Sequence, residues 1–265
     1  EQSLHFEQVF KVASLLGLAP QAELMHVKFG LVFAERGAKF STREGNIILL
    51  DAVFTKAERL ARDIVEKKNR DLSPKEKDAV AKQVALGALK YVNLRENRNS
   101  DVIFDWDAML DFSGDSGPYL QYTFARLRSI VRKSQITSTS AKGGSASGGK
   151  SQAPPPKADP PPAENPKDEV VDLKRLETEG EFAVIEKLAE FPEAVRAAGE
   201  TYAPNHLATY LYELANVVNR FYESTPIISD EDAKRRDARL LLVKTAAGIL
   251  KSGLALLGIE APEKI

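Results

Sequence analysis

In residues 205–222, Leu207, Leu211, Leu214, Val218 and Phe221 fall at i, i+4, i+7, i+11 and i+14. That period keeps all five on one side of an α-helix and would scatter them over both faces of a strand. Residues 232–257 repeat the register with Leu240, Val243, Ala247, Leu250, Leu254 and Leu257. Two long helices with one apolar stripe each can hide those stripes only against each other and against further helices. The stretch 114–133, G-D-S-G-P-Y-L-Q-Y-T-F-A-R-L-R-S-I-V-R-K, supplies another: Leu120, Phe124, Leu127 and Val131 make an apolar stripe. Pro118 suits its first turn, where a missing N–H costs nothing. A neighbouring stripe carries Tyr119, Tyr122, Arg126, Ser129 and Lys133. Rings beside cations suit stacking on bases and pairing with phosphates, although a plain solvated face has the same composition. Phe182, Ile185, Leu188 and Ala189 predict a shorter helix, ended by Pro192, with another running toward Tyr202. The C-terminal half therefore predicts an α-helical bundle.

Between the helices of this bundle, residues 135–168 shift to Ser, Gly, Lys, Ala and Pro, with P-P-P at 154–156 and again at 160–162. Such a segment cannot bury enough apolar surface to fold, and predicts a disordered insert without chemistry of its own. The N-terminal half is mixed. Leu4, Phe6, Phe10, Ala13 and Leu16 predict a helix over 3–17, closed by Gly17. Residues 24–34 and 46–50 are rich in Val, Phe, Ile and Leu and predict strands, separated by the polar loop R-G-A-K-F-S-T-R-E-G. Asp51 is the expected cap of a charged helix over 52–69, and Ser73-Pro74 starts another that carries Val80, Val84, Leu86, Leu89 and Tyr91. Residues 101–112 predict a short extended piece and a helical turn. Asp105 and Asp107 within it suit capping better than a paired acid–base site. The whole reads as mainly α with few strands.

Composition narrows the chemistry. The chain has 265 residues, no cysteine and only His5, His26 and His206. Disulfides, thiolate zinc sites and cysteine nucleophiles are excluded, and a histidine metal cluster is not expected. A net charge of −1 means that any nucleic-acid binding comes from local patches. No apolar run approaches membrane-spanning length, so no membrane partner is expected. The opening E-Q-S-L-H-F carries no initiator Met, and predicts a fragment of a longer protein.

The loop K-F-S-T-R at 39–43, followed by Gly45, puts two cations and two hydroxyls on one turn. Lys39 and Arg43 can offset charge building on a leaving pyrophosphate, while Ser41 and Thr42 donate hydrogen bonds. In isolation the signal is weak, and turn composition favours a plain polar hairpin. In company it becomes specific. K-F-S-T-R-E-G resembles the class I aminoacyl-tRNA synthetase signature loop in the form common among arginyl-tRNA synthetases, with Thr42 in place of a second lysine. G-x-S-G-P-Y-L-Q-Y-x-x-A-R-x-x-S-I at 114–130 resembles that family's link between catalytic and anticodon-binding parts. H-V-K-F-G-L-V at 26–32, Q-S-L-H-F at 2–6, A-L-K-Y-V-N-L-R at 88–95, F-D-W-D at 104–107, F-P-E at 191–193 and the final G-L-A-L-L-G-I-E-A-P-E-K-I are similar to family wording too.

The resemblance implies the end of a Rossmann-like class I catalytic domain over 1–112, with its signature loop. It implies an α-helical anticodon-binding domain over 113–265, interrupted by the insert. The whole enzyme would join arginine to ATP, accompanied by Mg2+, and pass the arginyl group to tRNA(Arg), whose presence the family generally needs for activation. Lys39, Ser41, Thr42 and Arg43 would steady the phosphates. Gln2, His5, His26, Val27, Phe29 and Gly30 would line the ATP and amino-acid sites. Tyr119, Arg126, Arg132 and Tyr222 would hold tRNA, with Arg132 nearly opposite Tyr119 on the helix. The family usually ends P-x-x-M beside an anticodon base; here Ile265 takes that place. The family's H-I-G-H-like ATP motif lies upstream of these residues, so this chain alone is not expected to catalyse the reaction. The setting implied is cytoplasmic or organellar. The alternative is a non-catalytic synthetase-derived RNA-binding or scaffold subunit of a larger assembly.

Overall fold

The computed structural model describes residues 2–18, 20–33, 50–103, 105–142 and 171–265, with side chains of the helix over 117–142 described to Ser134. The order is α1 (Ser3–Leu15), β1 (Val32–Phe33), α2 (Leu50–Lys68), α3 (Pro74–Leu94), β2 (Val102–Ile103), α4 (Trp106–Met109) and α5 (Gly117–Lys142). A single 3-10 turn, Leu173–Arg175, precedes α6 (Glu179–Ala189), α7 (Phe191–Glu200), α8 (Asn205–Ser224) and α9 (Ala233–Leu256). The two short strands pair in parallel, Val32 opposite Val102 and Phe33 opposite Ile103.

Local chemistry sets most boundaries. Ser73 caps α3 through a capping box with Glu76, and Pro74 follows it. Thr178 and Glu181 repeat the device on α6. Asp105 caps α4 by accepting from the N–H groups of Asp107 and Ala108, so this aspartate is a cap and not half of an acid–base pair. Ser116 accepts from the Tyr119 N–H at 3.1 Å and starts α5. Three expectations shift. Residues 22–31 are irregular, and among the described residues of the expected strand only Val32 and Phe33 pair, with β2. α2 begins at Leu50, which puts Asp51 inside the first turn and not at the cap. α5 runs to Lys142, past the point where the composition turns low-complexity.

Two apolar cores share the molecule. The larger joins α5 to α6–α9 around Leu120, Phe124, Leu127, Leu211, Leu214 and Leu250. Burying a side chain of that size is worth about 1.5–3 kcal/mol. The smaller lies between α2 and α3, around Ala57, Ala61, Val65, Val84 and Ala88, and includes Met109 and Leu110 beside α4. The α3–α5 crossing is tight: a Cβ on Gly117 would stand 2.6 Å from the Gly87 carbonyl oxygen. Gln121, fully buried one turn further on, donates from Nε2 to the carbonyls of Gln83 (3.0 Å) and Glu260 (2.7 Å). Much of the G-P-Y-L-Q wording is therefore spelled by packing.

The register of α6 corrects the sequence reading. Phe182 and Ile185, expected in the core, are 50% and 37% exposed, while Glu181 and Val184 are buried. Glu181 meets the buried Arg239 Nε at 2.5 Å, and Arg239 also pairs with Asp230. Burial alone would push the Glu181 carboxyl up; the Thr178 and Glu177 N–H groups and Arg239 outweigh it and hold it below its usual value. Hydrogen bonds from Arg235 hold Asp230 down at about 2. Leu240, also expected in the core, is only half-buried.

Candidate nucleic-acid interface

α5 and α8 lie side by side, and the turn before α5 closes one end of the space between them. The resulting cleft, about 570 Å³, is lined by Phe112, Tyr119, Tyr122, Arg126, Asn216 and Arg220 among others. A second hollow of about 600 Å³ continues past Arg126 along Ser129, Tyr222, Ile228 and Ser229. Arg126 lines both and so stands at their junction. Its guanidinium lies over the Tyr222 ring, 4.4 Å from the centroid. Glu223 is 3.6 Å away, a half-exposed pairing that a stronger anion can replace.

The five sequence-predicted tRNA residues fare differently. Arg126 and Tyr222 come together from α5 and α8 as one unit. Tyr119 is almost wholly buried and forms the floor of the cleft, with only its edge available. Its O–H donates to Asn216 Oδ1 at 2.7 Å, and Asn219 Nδ2 donates back at 3.0 Å. Burial pushes its phenol above the usual value, so it stays a neutral donor at physiological pH. Arg132 lies elsewhere on α5, half-exposed, where it donates to the Glu263 carbonyl at 3.1 Å and stands 3.6 Å from the Glu263 carboxylate. Ile265 is buried in the smaller core with Ala57, Ala61 and Val65, so its side chain serves packing in this structure. Asn216 and Asn219 escaped the sequence reading; their N-x-x-N spacing on the flank of the α8 stripe was the available signal.

The residues implied for the ATP and amino-acid sites gather loosely around α1. His26 stacks on Phe6, 4.2 Å between ring centroids, and His5 meets the same ring edge-on at 6.0 Å. Gln2 stands at the start of α1 without making a capping bond. Val27 and Phe29 are exposed, Phe29 by 83%. Gly30 has a structural reason of its own: a Cβ there would fall 2.0 Å from the Ser100 carbonyl oxygen. Lys39, Ser41, Thr42 and Arg43 lie outside the described residues. So do the strand expected over 46–49, Phe104 of F-D-W-D and the insert's core at 143–168. Among the described residues no group of three or more His, Cys, Asp or Glu side chains could hold a metal ion.

Rings that present cations, beside side-chain amides, make a surface for a stacked, anionic polymer rather than a centre for bond-making. Comparison with known proteins agrees. Residues 1–106 match the class I (R) tRNA synthetase catalytic-domain family, and residues 159–265 match the DALR anticodon binding domain. Arginine–tRNA ligases of Chloroflexus aggregans and Halothermothrix orenii are 37% and 36% identical over the full chain, which spans 41% of each relative's length. The arginyl-tRNA synthetase of Thermus thermophilus matches in structure with a TM-score of 0.71 at 32% identity, over 91% of this chain and 35% of that one. That of Plasmodium falciparum, at 22% identity and a TM-score of 0.69, covers 100% of this chain and 40% of its own, and agrees in fold. The fold class is thus a helical anticodon-binding bundle joined to the end of a class I catalytic domain. The chain belongs to the arginyl-tRNA synthetase family.

Proposed function

We propose that the protein to which this chain belongs is an arginine–tRNA ligase. The arginine carboxylate attacks the α-phosphorus of ATP, which enters with Mg2+, and pyrophosphate leaves. A terminal ribose hydroxyl of tRNA(Arg) then attacks the arginyl carbonyl, and AMP leaves. Lys39 and Arg43 offset the charge on the departing phosphates, with Ser41 and Thr42 as donors. Gln2 and His26 line the amino-acid and ATP sites. Residues 1–112 form the end of the catalytic domain and 113–265 the tRNA-binding domain, whose sequence the low-complexity segment 135–168 interrupts. The observation that carries this reading is the cleft where Arg126 lies over the Tyr222 ring, in a chain that also keeps the K-F-S-T-R loop. Lys39→Ala in the whole protein should slow arginine-dependent ATP–pyrophosphate exchange by roughly two to three orders of magnitude, as for loss of one transition-state charge partner. Exchange at the normal rate would remove the loop from the mechanism.

A further inference from the structure

Over two of the rings that line the cleft lies a cation that neither the sequence motifs nor the proposed reaction uses. Lys68, exposed on the last turn of α2, places its ammonium 4.5 Å from the centroid of the Tyr122 ring and 4.8 Å from that of Phe112. The two rings meet edge to face, 6.1 Å apart at 79°, and both line the cleft. Among the described residues no carboxylate lies within ion-pair distance of Lys68. Asp111 is near enough to feel its charge, but its Oδ1 already accepts from the Ser113 N–H (2.8 Å) and Oγ (2.7 Å). Two aromatic faces orient an ammonium without neutralising it, which leaves its charge for an outside anion.

Rings that line the cleft or adjoin it therefore hold two cations. Arg126 sits on Tyr222 in the bundle, and Lys68 sits on Tyr122 and Phe112 where α2 of the catalytic part reaches the start of α5. Tyr122 and Arg126 are one helical turn apart on α5, so the aromatic and cationic surface is continuous between them. We propose that Lys68 is a backbone-phosphate contact for the bound tRNA, presented by Phe112 and Tyr122. It extends the RNA-binding face from the bundle across the junction onto the catalytic part. The proposal rests on the tRNA-ligase reading above. It adds a contact from a helix outside the bundle, so one RNA touching both cations would fix the angle between the two parts.

The test is a titration of in vitro transcribed tRNA(Arg) into the whole protein at several KCl concentrations, for wild type, Lys68→Ala, Lys68→Met, Lys68→Arg and Arg126→Ala. Lys68→Met keeps the apolar stem over the rings, and thermal melts guard against loss of fold. Lys68→Ala and Lys68→Met should both weaken binding roughly ten-fold. Both should also flatten the log–log salt slope by about one ion, and Lys68→Arg should restore affinity and slope. If Arg126→Ala weakens binding while the Lys68 variants match wild type, the Lys68 assignment falls and the ligase reading stands. An effect of Lys68→Ala that Lys68→Met does not share is packing, and also overturns it. If wild type binds no tRNA, the ligase reading falls, and this inference with it.

Discussion

Helices α8 and α1 look alike as sequences, and the structure treats them oppositely. Both carry apolar residues at helical spacing, yet α8 buries eight of its 20 residues and α1 buries none of 13. Leu4 and Leu15 of α1 and Leu16 at its C-cap are 66%, 72% and 67% exposed, while Leu211 and Leu214 of α8 are fully buried, in a helix that packs against α5, α6, α7 and α9. An apolar stripe is a demand for a partner. The bundle meets its own demand; among the described residues that of α1 is met only in part, with His26 stacked on Phe6 and no side chain of the helix buried. In the proposed ligase, the catalytic domain upstream would cover α1, and the nucleotide-site residues around His26 would become fixed only then.

The comparison breaks most sharply at the buried ion pair of the bundle. Glu181→Ala leaves Arg239 with less compensation in the core, and should cost about 3–5 kcal/mol by chemical denaturation. A loss below about 1 kcal/mol would show that the pair is not what locks α6 to α9. The network also sets an acid limit. Glu181 and Asp230 both titrate below their ordinary values, so their stabilising contribution is complete above those values and disappears as pH falls through the folded ones. For Asp230 the window runs from its ordinary 3.8 down to about 2. Melting temperature followed from pH 6 to pH 2 should drop across that window in wild type, and less in a Glu181→Ala, Asp230→Asn double variant.

Next in size is the contrast itself. Leu211→Ala, which empties a site packed against Gly253, should cost about 2–5 kcal/mol whether or not the upstream region is present. Leu15→Ala should cost less than about 0.5 kcal/mol in the chain of 265 residues. In the whole protein the same change should cost several-fold more. Equal, negligible effects of Leu15→Ala in both would mean that α1 never packs, and the two regions would differ for some other reason.

The smallest stability effect belongs to the surface proposed to bind tRNA. Arg126→Ala should leave the melting temperature nearly unchanged, since its ion pair with Glu223 is half-exposed, while it weakens tRNA binding by about 1–3 kcal/mol. Early melting with normal RNA affinity would reassign Arg126 to the architecture of the bundle.

Sequence alone determined the long helices, because a period of 3.6 is a property of neighbours along the chain. The stripes of α5 and α8 needed no three-dimensional information, nor did the Ser73 and Asp105 caps, whose partners lie two or three residues away. The pairing of aromatics with Arg126 on one face of α5 was legible for the same reason. The partners were not. Whether residues 24–34 form a strand depends on a neighbour, and among the described residues only Val32 and Phe33 find one, in β2. The register of α6 was misjudged because a buried glutamate looks like a surface residue until an arginine 58 positions away is set against it. Tyr119 reads as an RNA-facing ring until Asn216 and Asn219 claim its hydroxyl, and Ile265 reads as a free apolar tip until the α2–α3 core takes it in. Lys68 carries no motif, and becomes notable only where α2 ends beside Phe112 and Tyr122. Periodicity and capping are local and written in the chain. Burial, charge compensation and a cleft's lining depend on residues distant in sequence, which only folding brings together.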